Sequence, residues 1–548
     1  MLQIAGATLT AITPRAAHNW CMLYERGEPH PLVAETMLPH GSFTRRPVMV
    51  IGLDGLTLDL LLPMVATGAL PTFGRLLQRG AFGMLRSVTN MSTGPTWATF
   101  ATGCTPEHHG ILHDFHHRPG SYTLRPTAGH DCQVARFWEV ASEAGRTAIV
   151  LNVPHTYPAR PLRGVQLCGI DAPSERAPGF DYPAGSYRAL RRSGVDYIID
   201  CGLASSMQAG NIAAGVAAVA RETEGRTRAA EQFMAQMDWD LLVTVYSLPD
   251  LWQHYFWADL NTAPAGSAHQ GRALIKDGYR TLDRHLARLL AHLPADGLVV
   301  ICSDHGFGPL CSTRDSLNGW LAQQGLLRYK EGTRRALLAR VGRTLFAHAR
   351  RRVSFRFRQQ LLASMPALRR AVETRLRIGG IDWAHTQVYA ALDHQELWVN
   401  LRGRQPLGCV APGDYDAVCE RVTAALLAWR DEHSGGPPIV SAVHRRPSGE
   451  TAPPGCLPPD LALEWNPAAA RPGVHPLITG DHSPAGTLIV AGAGVRPQRL
   501  PEASLCDVAP LALLALGVSP PARMDGRVPL DLFTAEDQAS SQPSREAD

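Results

Sequence analysis

Apolar residues first gather into an unbroken run at 47–53, PVMVIGL, which ends at Asp54-Gly55. A short continuous run rich in Val and Ile that stops at turn residues is the pattern of a strand buried on both faces. Asp54 is therefore expected at a strand's carboxyl end. Helical stretches follow at 58–68 and 70–80, each closed by a glycine suited to a C-terminal cap. The alternation continues with a helix near 134–145, strands at 147–153 and 240–246, an amphipathic helix from about 268 to 293, and a buried strand, GLVVIC, at 297–302. Short strands return after residue 381, as in VYAALDHQELWVNL, before a strand at 487–491 and a helix at 507–517.

Strands and helices alternating in this way predict an α/β fold, with a mainly parallel central sheet and helices on both faces. Ligands of such folds bind beyond the carboxyl ends of the strands. Residues 1–46 lack sustained periodicity and read as an N-terminal extension. The catalytic core is expected in two parts, 47–328 and 381–533, separated at 329–380 by a basic helical insertion or cap that includes RRALLARVGRTLFAHARRR. The Ser-, Gln- and acid-rich stretch 534–548 reads as a disordered tail.

Composition narrows the class without naming a function. A chain of 548 residues can bury one large core and a subdomain. Its 45% hydrophobic and 19% charged residues exclude disordered and fibrous classes. A net charge of +4, dispersed apart from the cluster between Arg334 and Arg377, gives no reason to expect nucleic acid as a partner. The eleven cysteines contain no C-x-x-C pair and read as scattered reduced thiols. Met1 to Thr10 does not resemble a signal peptide, and no run of about eighteen uncharged apolar residues occurs. The expectation is a cytoplasmic protein with no membrane span.

The polar residues at strand ends carry the chemistry. Asp54 lies in GLDG, Asp250 and His254 in PDLWQH, Asp304 and His305 in SDHG, and His482 in GDHSPAG. Each alone is an ordinary turn, cap or structural residue. Together, three carboxylates and three imidazoles suit zinc, and also manganese or iron, and suffice for two divalent ions sharing a substrate. Asp250 and His254, at i and i+4, fall on one face of a helical turn. In Ser92-Thr93-Gly94-Pro95-Thr96, Pro95 suits the first helical position, which places Thr93 just before a helix N-terminus where phosphate is favoured. From spacing alone, Thr93 reads equally well as a nucleophile or, with Ser92, as part of the helix cap. No Walker phosphate loop, H-E-x-x-H, G-x-S-x-G or complete G-x-G-x-x-G is present. His108, His109, His113, His116 and His117, with Asp114, read as a surface loop or outer support rather than a third metal site.

GLDG, STGPTWATFATGCTPEHHGI, PDxxxH, SDHG and GDHSPAG, in this order, resemble the type I phosphodiesterase and nucleotide pyrophosphatase branch of the alkaline phosphatase superfamily. The resemblance spans roughly Pro47 to Phe533. It implies that Thr93 attacks phosphorus to form a covalent phospho-threonine and shares one ion with Asp54, Asp304 and His305. It assigns a second ion, about 4 Å away, to Asp250, His254 and His482. The Gly94 amide and the Thr96 hydroxyl are then expected to hold a nonbridging oxygen of the substrate. No Cys-x-Pro-x-Arg segment accompanies the nucleophile, which disfavours a formylglycine sulfatase. The expected activity is cleavage of a phosphodiester or pyrophosphate bond in a small phosphorylated, anionic substrate; the alternatives are a phosphomonoesterase and a non-catalytic, metal-dependent phosphoester-binding or sensing protein.

Overall fold

The computed structural model describes residues 3–4, 7–8, 45–260, 267–312, 314–330, 378–391, 395–430, 436–446, 455–469, 475 and 477–534. Most of the N-terminal extension, nearly all of the basic insertion and the C-terminal tail lie outside the described residues.

The first apolar run forms β1, Val48–Leu53, with every residue buried. Its neighbours are β6, Leu241–Tyr246, and β7, Leu298–Cys302, both parallel to it. Before β6 in the chain come α1 (Leu58–Ala66), α2 (Pro71–Arg79), β2 (Ala81–Arg86), α3 (Thr93–Thr102), α4 (Phe137–Glu143), β3 (Ala148–Leu151), β4 (Gly164–Leu167), β5 (Asp181–Tyr182) and α5 (Ile212–Gln236). After it come α6 (Leu248–Phe256) and α7 (Ser267–Leu290), with β7 next and then β8 (Gly306–Pro309), β9 (Gly480–Ser483), β10 (Ala485–Gly492), β11 (Gln498–Arg499), β12 (Ala503–Ser504) and α8 (Val508–Ala515). The main sheet runs β11-β2-β10-β7-β1-β6-β3-β4-β5, with β12 also pairing β2. From β7 to β4 the strands are parallel. The strand at 487–491 proves to be the antiparallel β10, which joins β7 to β2.

Alternate residues of β1 enter two different cores, as strand geometry requires. Met49, Ile51 and Leu53 pack with apolar residues of α1, α2, α5 and α7. Val48 and Val50 pack with Trp97 and Phe100 of α3, Phe137 of α4 and most of α8. Both faces of the sheet are thus covered. Trp97 seats α3 on β1 so closely that a Cβ on Gly52 would come within 2.6 Å of its ring.

Several elements differ from the pattern reading, and three of them are informative. The strand β2 and the helix α5 were not evident from periodicity. The helix expected at 70–80 ends at Arg79, and Gly80 is extended rather than left-handed, with φ −126°. Close packing accounts for the glycine: a Cβ there would lie 2.3 Å from the carbonyl oxygen of Val490.

A four-stranded antiparallel sheet, in the order Val388–Tyr389, Glu396–Val399, Leu461–Trp465, Val440–Arg445, stands apart with its own core. Tyr329 and Ile381 form an antiparallel bridge, which brings together the two ends of the segment expected as the insertion. Among the described residues no single helix is long and apolar enough to cross a membrane.

Candidate metal centre and nucleophile

Register builds the site. Leu53 of β1 pairs with Tyr246 of β6, and Gly52 pairs with Cys302 of β7. Three adjacent parallel strands therefore end level, and the chain beyond each delivers Asp54, Asp250 on α6, and the pair Asp304-His305. The antiparallel pairing of β8 with β9 sets Phe307 opposite His482, which returns His482 to the same place.

All six residues read from the strand ends are brought together. His305 Nε2 lies 3.3 Å from Asp54 Oδ1 and 3.4 Å from Asp304 Oδ2. Asp250 Oδ1 lies 3.1 Å from His254 Nε2 and 3.4 Å from His482 Nε2. The two groups touch through the stacked rings of His305 and His482, whose centroids are 3.6 Å apart. Groupings with metal-ligand spacing are Asp54-Asp304-His305, Asp250-His305-His482 and His254-Asp481-His482. Asp481 was missed in the sequence, although it sits within the GDHS motif beside His482.

The imidazoles are oriented for ligation. Nδ1 of His305 lies 2.9 Å from Gly306 O, Nδ1 of His254 lies 3.0 Å from Gly480 O, and Nδ1 of His482 lies 2.7 Å from Met91 O. A carbonyl oxygen only accepts, so each Nδ1 must carry the proton. In a neutral ring, Nε2 then presents its lone pair toward the carboxylates, as metal-bound histidines do. Asp304 Oδ1 and Asp250 Oδ1 are buried with no hydrogen-bond donor among the described residues. Such atoms and this tautomer fit divalent cations well.

Electrostatics agree with a centre that needs positive charge. Burial, with Asp304 and Asp250 nearby, holds the Asp54 carboxyl well above its ordinary range. Burial alone would raise Asp250 as well, but His254 and His482 outweigh it and hold Asp250 well below the usual range. Burial opposes charge on His482, yet Asp250 more than compensates and raises it to about 9. The proton affinity of Asp54 reflects crowding with its neighbours, a repulsion that a bound cation would relieve.

The helix at the expected nucleophile starts earlier than the proline implied. Helix α3 begins at Thr93, which places Thr93 in its first turn, and Pro95 is accommodated there because no intrahelical N–H is required of it. Ser92 is the N-cap but its side chain makes no capping bond. The Thr93 hydroxyl makes no hydrogen bond among the described residues and remains free at the positive pole of the helix.

Thr96 is fully buried, and its hydroxyl approaches Asp304 Oδ2 at 2.8 Å, Ser92 O at 3.1 Å and Thr93 O at 3.4 Å. A hydroxyl has one proton, and the shortest contact gives it to Asp304. In this geometry Thr96 braces a carboxylate rather than facing a substrate oxygen. The Gly94 amide likewise already has an acceptor, Asp114 Oδ1 at 2.6 Å.

The histidine-rich loop departs from the surface reading. His109, His113, His116 and His117 are buried, leaving only His108 exposed on its exchange with Asp525. Burial pushes His109 and His117 down to about 3, so both are neutral. His113 contacts Asn90 and Glu396, and His117 stacks on Trp398; Glu396 and Trp398 come from the antiparallel sheet.

Residues 48–447 match the model of the family described as type I phosphodiesterase / nucleotide pyrophosphatase. The chain belongs to this family. Type I phosphodiesterase membership is consistent with the fold likeness to phosphonoacetate hydrolase from Sinorhizobium meliloti 1021, solved with phosphonoformate and with phosphonoacetate. Those structures share 16% and 17% identity, cover 87% of this chain and 97% of theirs, and have a TM-score of 0.52. Murine ectonucleotide pyrophosphatase / phosphodiesterase 5 aligns over 89% of this chain and 100% of its own at 13% identity, with a TM-score of 0.47. No relative is detected among curated proteins. Family, fold and clustered Asp and His residues together identify a metal-dependent hydrolytic enzyme.

Proposed function

We propose that the chain cleaves a phosphodiester or pyrophosphate bond in a small anionic substrate, through a covalent phospho-threonine at Thr93. The observation that carries this reading is the common orientation of His254, His305 and His482. Each gives its Nδ1 proton to a backbone carbonyl and turns Nε2 to the aspartates. Asp54, Asp304 and His305, with Thr93, would hold one divalent ion, and Asp250, His254 and His482 a second. Zinc suits this oxygen and nitrogen set, and manganese or iron are the other candidates. Bound ions would supply Lewis acidity and favour ionisation of a nearby hydroxyl.

The chain's own residues do the rest. Thr93 presents its free hydroxyl at the N-terminus of α3, where the helix dipole favours the phosphoryl group. Attack by Thr93 Oγ on phosphorus forms the threonine ester and expels the leaving alcohol or phosphate; water then releases the phosphoryl product and regenerates Thr93.

The test is elemental analysis alongside hydrolysis of an aryl phosphate and its methyl diester. Wild type should hold about two metals per chain and prefer the diester. Thr93→Ala should keep the metals and lose turnover, while Asp304→Ala should lose both. Full activity in Thr93→Ala would overturn the mechanism, and preference for the monoester would make the enzyme a phosphomonoesterase.

A further inference from the structure

Residues 90–92 lead into the nucleophile and also touch the far half of the site. Ser92 immediately precedes Thr93 at the start of α3, and the Met91 carbonyl accepts from Nδ1 of His482 at 2.7 Å. Under the proposed assignment Thr93 serves the first ion and His482 the second. One short stretch of chain therefore bears on both.

The residue at the helix cap is not the one that holds this stretch. Ser92 occupies the N-cap, yet its hydroxyl is buried with no hydrogen bond among the described residues. Asn90, buried two positions earlier, holds it instead. Its Oδ1 accepts from the Ser92 amide at 3.0 Å, and its Nδ2 donates to Leu112 O at 3.0 Å. A backbone amide only donates and a carbonyl only accepts, so these two bonds fix which way the Asn90 amide faces. Nδ2 also lies 2.7 Å from His113 Nδ1. The bond to the Ser92 amide closes an Asx turn with Met91 at its centre. The direction of the Met91 carbonyl is set by that turn.

The loop that receives Asn90 is itself tied down. Thr127 Oγ1 donates to His113 O at 2.9 Å, and the Thr127 amide donates to Asp114 O at 2.8 Å. Asp114 Oδ1 in turn accepts from the Gly94 amide at 2.6 Å. Leu112 and Asp114 thus grip the chain on either side of Thr93, through Asn90 before it and Gly94 after it.

We propose that Asn90 is a positioning residue that sets Thr93 and His482 together. By closing the turn over Met91 it fixes both the entry to α3 and the carbonyl that orients the His482 ring, so nucleophile placement and affinity for the second ion are coupled. This inference rests on the assignment of Thr93 as nucleophile and of His482 to the second ion. Opening the turn takes Met91 O away from His482 Nδ1 and lets the Thr93 hydroxyl drift, although neither residue is altered.

The test uses full-length enzyme, with zinc affinities measured by chelator competition and hydrolysis of bis(4-nitrophenyl) phosphate measured at saturating zinc. Saturation separates the placement of Thr93 from the occupancy of the ion sites. Asn90→Ala should lower kcat and the affinity of one of the two ions, each roughly tenfold to a hundredfold, with KM and the other ion's affinity little changed. Asn90→Ser keeps a hydroxyl that accepts from the amide two residues on, and should restore both quantities together. A role in stability alone would leave kcat and both affinities near wild type in folded Asn90→Ala. That result, equal weakening of both ions, or a serine variant that restores one quantity without the other overturns the proposal. If Asn90→Ala fails to fold, Asn90→Ser decides alone: kcat and one ion's affinity retained together, or falling in step, support the coupling, and a fall in one with the other unchanged overturns it. Thr93→Ala, run in parallel, separates the two readings. An active Thr93→Ala defeats the nucleophile assignment, whereas an inactive one, with both ion affinities unchanged in Asn90→Ala, defeats only the role of Asn90.

Discussion

Replacing Thr96 with Val removes one hydroxyl and little else. Valine keeps the β-branched shape in a position with no exposure, so the packing of α3 on β1 should survive. What disappears is the 2.8 Å donation to Asp304 Oδ2. That carboxylate's other oxygen already lacks a donor among the described residues, and the change removes this one from Oδ2, which faces the unprotonated Nε2 of His305 at 3.4 Å. A buried hydrogen bond to a charged group contributes about 1.5–3 kcal/mol. Outer supports of metal ligands typically change metal affinity by about 10–100-fold, which is about 1.4–2.7 kcal/mol, so the two scales agree. The expected outcome is a loss of metal affinity of that size, measured by competition with a chromophoric chelator, with activity recovered at excess metal. Unchanged metal affinity combined with a raised KM would refute the bracing role and return Thr96 to the substrate.

Other consequences follow from packing and charge. Gly52→Ala would push a methyl into Trp97 and Val245, at 2.6 and 2.9 Å; unfolding titrations should show a loss of about 1–3 kcal/mol, accompanied by reduced kcat as α3 shifts from β1. Arg226 is buried in an ion pair with Glu222 and donates to Val245 O at 3.3 Å and Ser247 Oγ at 3.2 Å, at the start of α6. Arg226→Met leaves Glu222 buried without its ion-pair partner, holding only its bond from the Cys201 amide among the described residues, and denaturant unfolding should show about 3–5 kcal/mol of lost stability. Metal-free enzyme should melt at progressively lower temperature between pH 6.5 and about 9: the His482 pKa is raised from 6.5 to about 9, so its contribution is fully present below the lower value and lost through the higher. Asp54, also raised, adds a loss of its own that begins as pH rises above the ordinary carboxyl range. Loading with divalent metal should flatten that dependence, because the cations replace the protons; an unflattened profile in metal-loaded enzyme contradicts the ligand assignment.

The strand ends were legible because their signals are local. An apolar run stops at Asp54, and another stops just before Asp304-His305; level strand ends follow from in-register parallel pairing. The level register itself, and the return of His482 beside β8, depend on pairings between distant segments that periodicity does not encode. The same reason hides Asn90 and Asp114: each looks like an ordinary loop residue until the loop at 112–114 is folded against the start of α3. The buried histidines misled because their cover, Trp398 and Tyr389, lies more than 250 residues further along the chain. Strand β2 was faint because AFGMLR is short and interrupted by Gly83, whose added Cβ would meet Leu500 at 2.9 Å.

The central claim is that phosphorus passes through Thr93. Hydrolysis of a chiral phosphorothioate diester in isotopically labelled water reads this directly from the configuration of the product. Two successive in-line displacements, first by Thr93 and then by water, predict net retention at phosphorus. Net inversion would mean that water attacks in a single step and would contradict the assignment of Thr93 as nucleophile.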